Sequence, residues 1–329
     1  MSLMSVQNLS VGYGRSHPVV AVRDVSFELA AGEFVGLVGE SGSGKSTLGF
    51  AMMRLERPPA RILQGSVRLA DRDWVTASAS ELRPLRWTTV AVVLQSGMNA
   101  LNPVTTISRQ FRDVLQEHRF GSERQIADRI HEMLHLVNIP ERVLTEYPHE
   151  LSGGMRQRIG IALAMVLHPQ LVVMDEPTTA LDVVVQWEIL SRLKALRQVV
   201  PFSLFFITHD LGVVAQLADR VLVMYAGEIV EDQPTRRLLT QPLHPYTAAL
   251  LQIARHTESN AATERVFPSI PGTPPDLSEL SPGCPFAPRC SEAEEECGRV
   301  HPPLIPLPTG STRCWIAQKG GALHVNSHP

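Results

Sequence analysis

Residues 39–47 read GESGSGKST, and this stretch restricts the fold of the surrounding chain more than any other. It fits the spacing G-x-x-x-x-G-K-[ST], with Gly39, Gly44, Lys45 and Ser46 in the fixed places and a further glycine at Gly42. Glycines let backbone N–H groups curl around phosphate oxygens without Cβ clashes. A helix beginning at Lys45 would turn its positive dipole end toward the same anion. Lys45 can reach the outer phosphates, and the Ser46 hydroxyl can ligate Mg²⁺. Glu40, Ser41, Ser43 and Thr47 complete a loop read as a nucleoside triphosphate site. Its flanks agree: FVGLV (34–38) predicts a short buried strand before the loop, and residues 46–55 predict a helix after it.

The 329 residues are enough for one large domain with an appendage. A 44% hydrophobic fraction and a net charge of −3 describe an ordinary globular chain and argue against a basic nucleic-acid binder. No apolar run approaches the ~20 residues of a membrane span. The opening MSLMSVQNLSVGYG lacks the basic and apolar regions of a signal peptide, so a cytosolic protein is expected.

Alternation of apolar residues predicts strands over 3–11 and 19–29, with Tyr13 between them as either an edge aromatic or a face for adenine. A hairpin is expected near Gly65–Leu69 and a short strand over 90–94. A mostly helical insertion follows over about 96–170, with amphipathic helices at 107–118 and 125–137. Strand 171–174, helix 183–199 and strands 202–207 and 220–225 return to the alternating pattern. That order predicts an α/β fold: a parallel sheet with nucleotide at its carboxyl ends. From residue 242 prolines become dense, which predicts a loop-rich extension over 242–329, with little core of its own.

Two further segments carry chemistry. LVVMDE (171–176) is an apolar strand ending in two carboxylates, read either as an acidic turn or as a Mg²⁺ and water site. In the second reading Asp175 holds the hard cation through oxygen, and Glu176 polarises water for attack on the γ-phosphate. LSGGMRQR (151–158) opens a helix with Ser152 as its N-cap, and Gly153 and Gly154 expose backbone N–H groups. It is either an ordinary capped helix or a second anion site. A head-to-tail pair would use the second, each protomer closing this turn over phosphates held by the other.

The phosphate loop, Gln95, LSGGMRQR, LVVMDEP, Ala180-Leu181-Asp182 and His209 stand in the order and spacing of the ATPase subunits of ABC transporters, which the chain resembles over residues 5–240. The resemblance implies a P-loop NTPase core with parallel sheet, an antiparallel β subdomain and a helical subdomain, spanning 1–241. It gives Tyr13 the adenine-stacking position and Gln95 contact with Mg²⁺ and the attacking water. Leu151, Ser152, Gly153, Gly154 and Gln157 become contacts to the partner's ATP. Asp182 couples the two sites, and His209 meets the γ-phosphate. QSGMNALNP (95–103), MRQRIGIALA (155–164) and the proline-rich tail are similar to the dipeptide, oligopeptide and nickel importers. Gly97 departs from a proline often found there.

All four cysteines, Cys284, Cys290, Cys297 and Cys314, lie in the tail, spaced C-x5-C-x6-C-x16-C. That spacing matches neither common zinc modules nor short ferredoxin runs, so by itself it leaves a metal site and free thiols open. The resemblance implies a 4Fe–4S cluster, with zinc as runner-up. It also implies a second, homologous ATPase subunit, two integral membrane permeases, an extracytoplasmic solute-binding protein and peripheral placement at the cytoplasmic membrane face. Peptides are the leading solute, with nickel or another small solute behind them. A soluble, non-transport ABC ATPase is the alternative of another class.

Overall fold

The computed structural model describes residues 2–94, 101–177, 183–258 and 269–320. They fall into two compact units that interleave along the sequence. The first comprises Leu29–Phe34, Leu69–Ile207 and the residues up to Met4; the second comprises Ser5–Glu28, Val35–Arg68 and everything from Thr208 onward. The phosphate loop and the proline-rich extension therefore share a unit.

Strands are numbered in chain order: β1 (Ser2–Tyr13), β2 (Val19–Ala30), β3 (Phe34–Val38), β4 (Ala60–Leu69), β5 (Arg72–Asp73), β6 (Val90–Val93), β7 (Leu171–Asp175), β8 (Ser203–Ile207), β9 (Arg220–Tyr225), β10 (Glu228–Pro234), β11 (Ile305–Leu307) and β12 (Gly310–Thr312). In the first unit β6, β7 and β8 run parallel, with Val93 opposite Met174 and Asp175 opposite Ile207. Every residue of β7 and β8 is buried. That is why these strands read as unbroken apolar runs, as parallel strands covered on both faces do.

The helical segment of this unit includes Ile107–Glu117, Glu123–Leu136 and Gly153–Met165. Ile107, Phe111 and Leu115 bury one stripe of the first at intervals of one turn. Ser122 and Gln125 cap the second reciprocally. From that helix the buried Arg129 donates through Nε to Val166 O at 2.7 Å and through a terminal nitrogen to Met165 O at 3.1 Å. A cation on the last carbonyls of Gly153–Met165 opposes the negative end of that helix. The helix bearing LSGG is thus fixed at its far end.

In the second unit β3 pairs parallel with β9, Val38 opposite Val223, and β9 turns back antiparallel into β10. Ala226 and Gly227, at φ 49° and 87°, make the turn. Strands β1, β2 and β4 lie in the order β2–β1–β4. The hairpin expected near Gly65–Leu69 is formed by β4 and β5, Ala70 and Asp71 at φ 52° and 58° making its turn, and Gly65 lies inside its first strand, Ala60–Leu69. At Gly65, φ is +97° and a Cβ would stand 2.6 Å from Asn8 O, so glycine marks the close approach of β1 rather than a turn.

The extension borrows its order from this sheet. Strand β12 pairs antiparallel with β10, Thr312 opposite Glu231, and β11 pairs with β12. Arg313 N donates to Val230 O at 2.9 Å. The Glu231 carboxylate, fully buried, accepts from Leu243 N and His244 N at 2.9 Å each and from Gln233 Nε2 at 2.6 Å. Burial holds its carboxyl above the usual carboxylate range, and these hydrogen bonds oppose that rise.

Candidate nucleotide site and cysteine module

The second unit carries the phosphate loop. Strand β3, buried throughout, delivers Gly39 at φ +153°, where a Cβ would stand 2.2 Å from Met224 O. Gly44, at φ +103°, would bring a Cβ to 2.3 Å from Ala21 O. Both positions demand glycine for conformation and for space. Gly227 N, from the β9–β10 turn, donates to Ser43 O at 3.0 Å and holds the middle of the loop.

Helix Lys45–Met52 begins directly after Gly44, which offers no side-chain cap to its first turn. The Lys45 ammonium, 6% exposed, curls back to Gly39 O at 2.8 Å and Glu40 O at 2.7 Å. A cation, a helix N-terminus and a glycine loop here meet in one small volume, which is the chemistry of a polyphosphate cradle. Tyr13, 40% exposed at the end of β1, shares a hydrogen bond of 2.9 Å with Thr47 Oγ1. The aromatic face predicted for adenine is therefore tied to the last residue of the loop.

His209 stands exposed in the turn between β8 and helix Leu211–Leu217. Thr208 N donates to Leu37 O at 3.1 Å, two residues before Gly39. Asp210 caps the helix through Gly212 N and Val213 N at 2.8 and 3.2 Å. These bonds fix the backbone on both sides of His209 and hold it beside the strand that feeds the phosphate loop.

A further pair of residues reaches the loop, and the sequence offered no signal for either. Arg289, from the extension, forms a two-pronged ion pair with Glu40, its terminal nitrogens donating to the two carboxylate oxygens at 2.7 and 3.0 Å. Tyr246 Oη accepts from Glu40 N at 2.7 Å. No spacing rule links residue 40 to residues 246 and 289; long-range ties such as Glu231 to Leu243 and His244, and β10 to β12, bring that part of the chain back.

The first unit carries the other candidates. Asp175, 5% exposed, ends β7, and Glu176 follows at φ 48° with its N–H donated to Ile207 O at 2.8 Å. A left-handed conformation is uncommon for a side chain of this size and fixes where the carboxylate departs from the strand. Ser152 caps helix Gly153–Met165 by accepting from Met155 N at 3.3 Å. Arg156 donates to Leu151 O at 2.9 Å and to Pro148 O at 3.2 Å, bracing the turn ahead of the cap. Ser152 is exposed and Gly153 and Gly154 are half-buried, so their backbone donors can meet an anion. Gln157 differs: it is 6% exposed, and its Nε2 has no hydrogen-bond partner among the described residues. Gln95 and Asp182 lie outside the described residues.

Cys284, Cys290, Cys297 and Cys314 are all free thiols, and all four line one cavity with Phe286 and Trp315 among its apolar walls. Cys284 N donates to Cys297 O at 2.7 Å, closing the segment between them. Burial pushes the Cys284 thiol up to about 12 and Cys290 to about 11, with neighbouring thiols adding to both. Cys314 is raised for the same reasons. Among the described residues no three His, Cys, Asp or Glu form a group that could hold a metal ion. The arrangement is convergent, but it is not a closed site for one ion.

Residues 22–179 match the family profile described as ABC transporter, and residues 230–297 match the oligopeptide/dipeptide transporter C-terminal region. The oligopeptide transport ATP-binding protein AppD of Bacillus subtilis is 40% identical over 326 residues, covering 98% of both chains. The dipeptide transport ATP-binding protein DppD of the same organism is 42% identical, covering 95% of this chain and 94% of its own. Among solved structures, a bacterial ABC transporter cassette in dimeric form superposes with a TM-score of 0.65 at 28% identity, covering 71% of this chain and 99% of that one. The chain belongs to the ABC transporter family, as an ATP-binding, ATP-hydrolysing subunit that carries the oligopeptide/dipeptide transporter C-terminal region.

Proposed function

We propose that this subunit powers the import of di- or oligopeptides. The observation carrying this reading is the joining of one nucleotide-binding half and the oligopeptide/dipeptide C-terminal region in a single chain. Relatives that align over nearly the whole length are named for oligopeptide and dipeptide transport. Nickel or another small solute would use the same machinery.

In this reading two ATPase subunits, this chain and a homologous partner, close head to tail around two ATP. Residues 39–47 cradle the phosphates, and Tyr13 stacks on the adenine. Ser152, Gly153 and Gly154 donate to the ATP held by the partner. Glu176 takes a proton from water as its oxygen attacks the γ-phosphorus and ADP leaves; His209 and Gln95 orient the phosphate and the water. Mg²⁺, when bound, neutralises developing phosphate charge; the oxygen donors that would hold it are Ser46, Asp175 and Gln95, a hard-ligand set suited to that ion. Asp182 links the two sites. ATP prefers the closed pair, so its binding shifts the equilibrium that moves two membrane permeases. Among the described residues no helix is long and apolar enough to cross a membrane. In this reading the subunit sits peripherally on the cytoplasmic face, beneath permeases served by an extracytoplasmic solute-binding protein.

The four thiols suit a 4Fe–4S cluster as donors: all are unpaired, they share one cavity, and the walls around them are apolar. A bound cluster would supply a covalent staple for a segment with little core of its own. Iron and acid-labile sulfide, absent from anaerobically purified protein, would remove this part of the reading; stoichiometric zinc would replace it.

Reconstitution tests the whole. Vesicles holding this chain with its partner ATPase, permeases and binding protein should accumulate labelled peptide only with ATP. Uptake that continues with Lys45→Ala in this chain would contradict the assignment.

A further inference from the structure

We infer that Arg289 is a positioning residue for the ATP site: it holds the phosphate loop through Glu40, making the cysteine-bearing extension a brace on nucleotide affinity. This rests on the ATP site itself and not on what the four thiols hold.

Three polar groups of one loop residue are taken up at once. The Glu40 carboxylate receives both prongs of Arg289 at 2.7 and 3.0 Å. Its N–H goes to Tyr246 Oη at 2.7 Å, and its carbonyl receives Lys45 Nζ at 2.7 Å. Glu40 thus joins the ammonium destined for phosphate to two residues beyond position 240.

Arg289 is itself held. Its side chain is 5% exposed, Nε donates to Pro271 O at 2.9 Å, and a terminal nitrogen also reaches Tyr225 Oη at 3.2 Å. A planar guanidinium engaged on three sides cannot swing without breaking several bonds. The guanidinium lies over the ring of Tyr225, 5.8 Å from its centroid, and Tyr225, Tyr246 and Phe286 pack on one another with ring centroids 4.7 to 5.4 Å apart. Phe286 lies two residues after Cys284, and Arg289 immediately precedes Cys290. The segment between the first two cysteines, with Tyr246, is therefore a part of the extension that touches the loop.

A two-pronged, largely buried pair is expensive to break from one side, because the surviving charge stays behind without its partner. At position 40 that surviving charge is a carboxylate one residue from Gly39 and five from Lys45. Released, it can draw Lys45 away from phosphate and repel the polyphosphate. Arg289 would therefore act on ATP affinity rather than on the chemical step.

The test uses the full chain and measures both ATP dissociation constant and the KM-against-kcat split in the assembled ATPase. Arg289→Ala should weaken ATP binding ~10-fold or more and raise KM, with kcat changed far less. Arg289→Lys, which keeps the charge but not the fork, should fall between that variant and wild type. Arg289→Gln and Glu40→Gln should not multiply in the double variant, since each removes the same pair. Lys45→Ala serves as the control in which the ATP site fails for any reason. Should Arg289→Ala misfold, Arg289→Lys and the Glu40→Gln cycle carry the same test. ATP affinity within two-fold of wild type in folded Arg289 variants, or effects that multiply in the double variant, would overturn the inference.

Discussion

The hydroxyl of Tyr13 and Oγ1 of Thr47 stand 2.9 Å apart, so the aromatic residue at the end of β1 is hydrogen-bonded to the last residue of the phosphate loop, in the first turn of helix Lys45–Met52. The bond sets the ring's direction, while the ring's face remains available because Tyr13 is 40% exposed. Two substitutions separate these contributions. Tyr13→Phe removes one exposed hydrogen bond, of about 0.5–1.5 kcal/mol at most, and should change ATP affinity only a few-fold. Tyr13→Ala removes the face as well and should cost about 1–3 kcal/mol, measured as ATP dissociation constants by titration calorimetry. Equal affinities for both variants would mean that no base stacks there.

Glu231 ties the extension to the sheet. Glu231→Ala strands the buried N–H groups of Leu243 and His244, at about 1–3 kcal/mol each, and should lower the unfolding midpoint in denaturant accordingly.

The pH dependence of Glu231 has a definite sign. Its folded-state pKa is raised above the ordinary 4.5, so between the two values the native state binds more protons than the unfolded chain. That contribution is fully present below 4.5 and is lost as pH rises through the folded value. The Tm of wild type relative to Glu231→Gln should therefore fall as pH is raised from 4.5 toward neutrality. A difference that grows over this range would show the carboxylate stabilised, not strained, by burial.

Ser152 has two separable duties. As an N-cap accepting from Met155 N, its replacement by Ala should cost about 0.5–2 kcal/mol of stability. If its turn also completes the partner's ATP site, turnover in the assembled pair should drop well beyond what that destabilisation explains. Thermal melts and ATPase rates on the same preparation distinguish the two.

Much of this arrangement was legible in the chain. FVGLV, LVVMD and the apolar run before His209 announced β3, β7 and β8, because strands buried on both faces leave no room for alternation. GESGSGKST placed Gly39 and Gly44 where φ and space both require glycine, and Gly42 where φ does. What stayed hidden depends on long-range pairing. The hairpin near Gly65–Leu69 was legible, but not its turn at Ala70–Asp71 nor the close approach of β1 that requires Gly65. The extension read as loop-rich with little core of its own, and what the sequence did not show is that β12 extends a sheet begun by β3 and β9. Arg289 and Tyr246 could not be foreseen, since their partner Glu40 lies more than 200 residues away. Gln157, given a role only through its place in LSGGMRQ, is buried, which its local sequence did not announce.

Everything proposed for ATP turnover depends on the carboxylate that leaves β7 in a left-handed turn. The most direct measurement is the ATPase rate of the assembled subunits carrying Glu176→Gln, alongside their affinity for ATP. Hydrolysis should fall by about 10²-fold or more while ATP binding is kept, the size of effect expected when a positioned general base is removed. Hydrolysis at the wild-type rate would contradict the account.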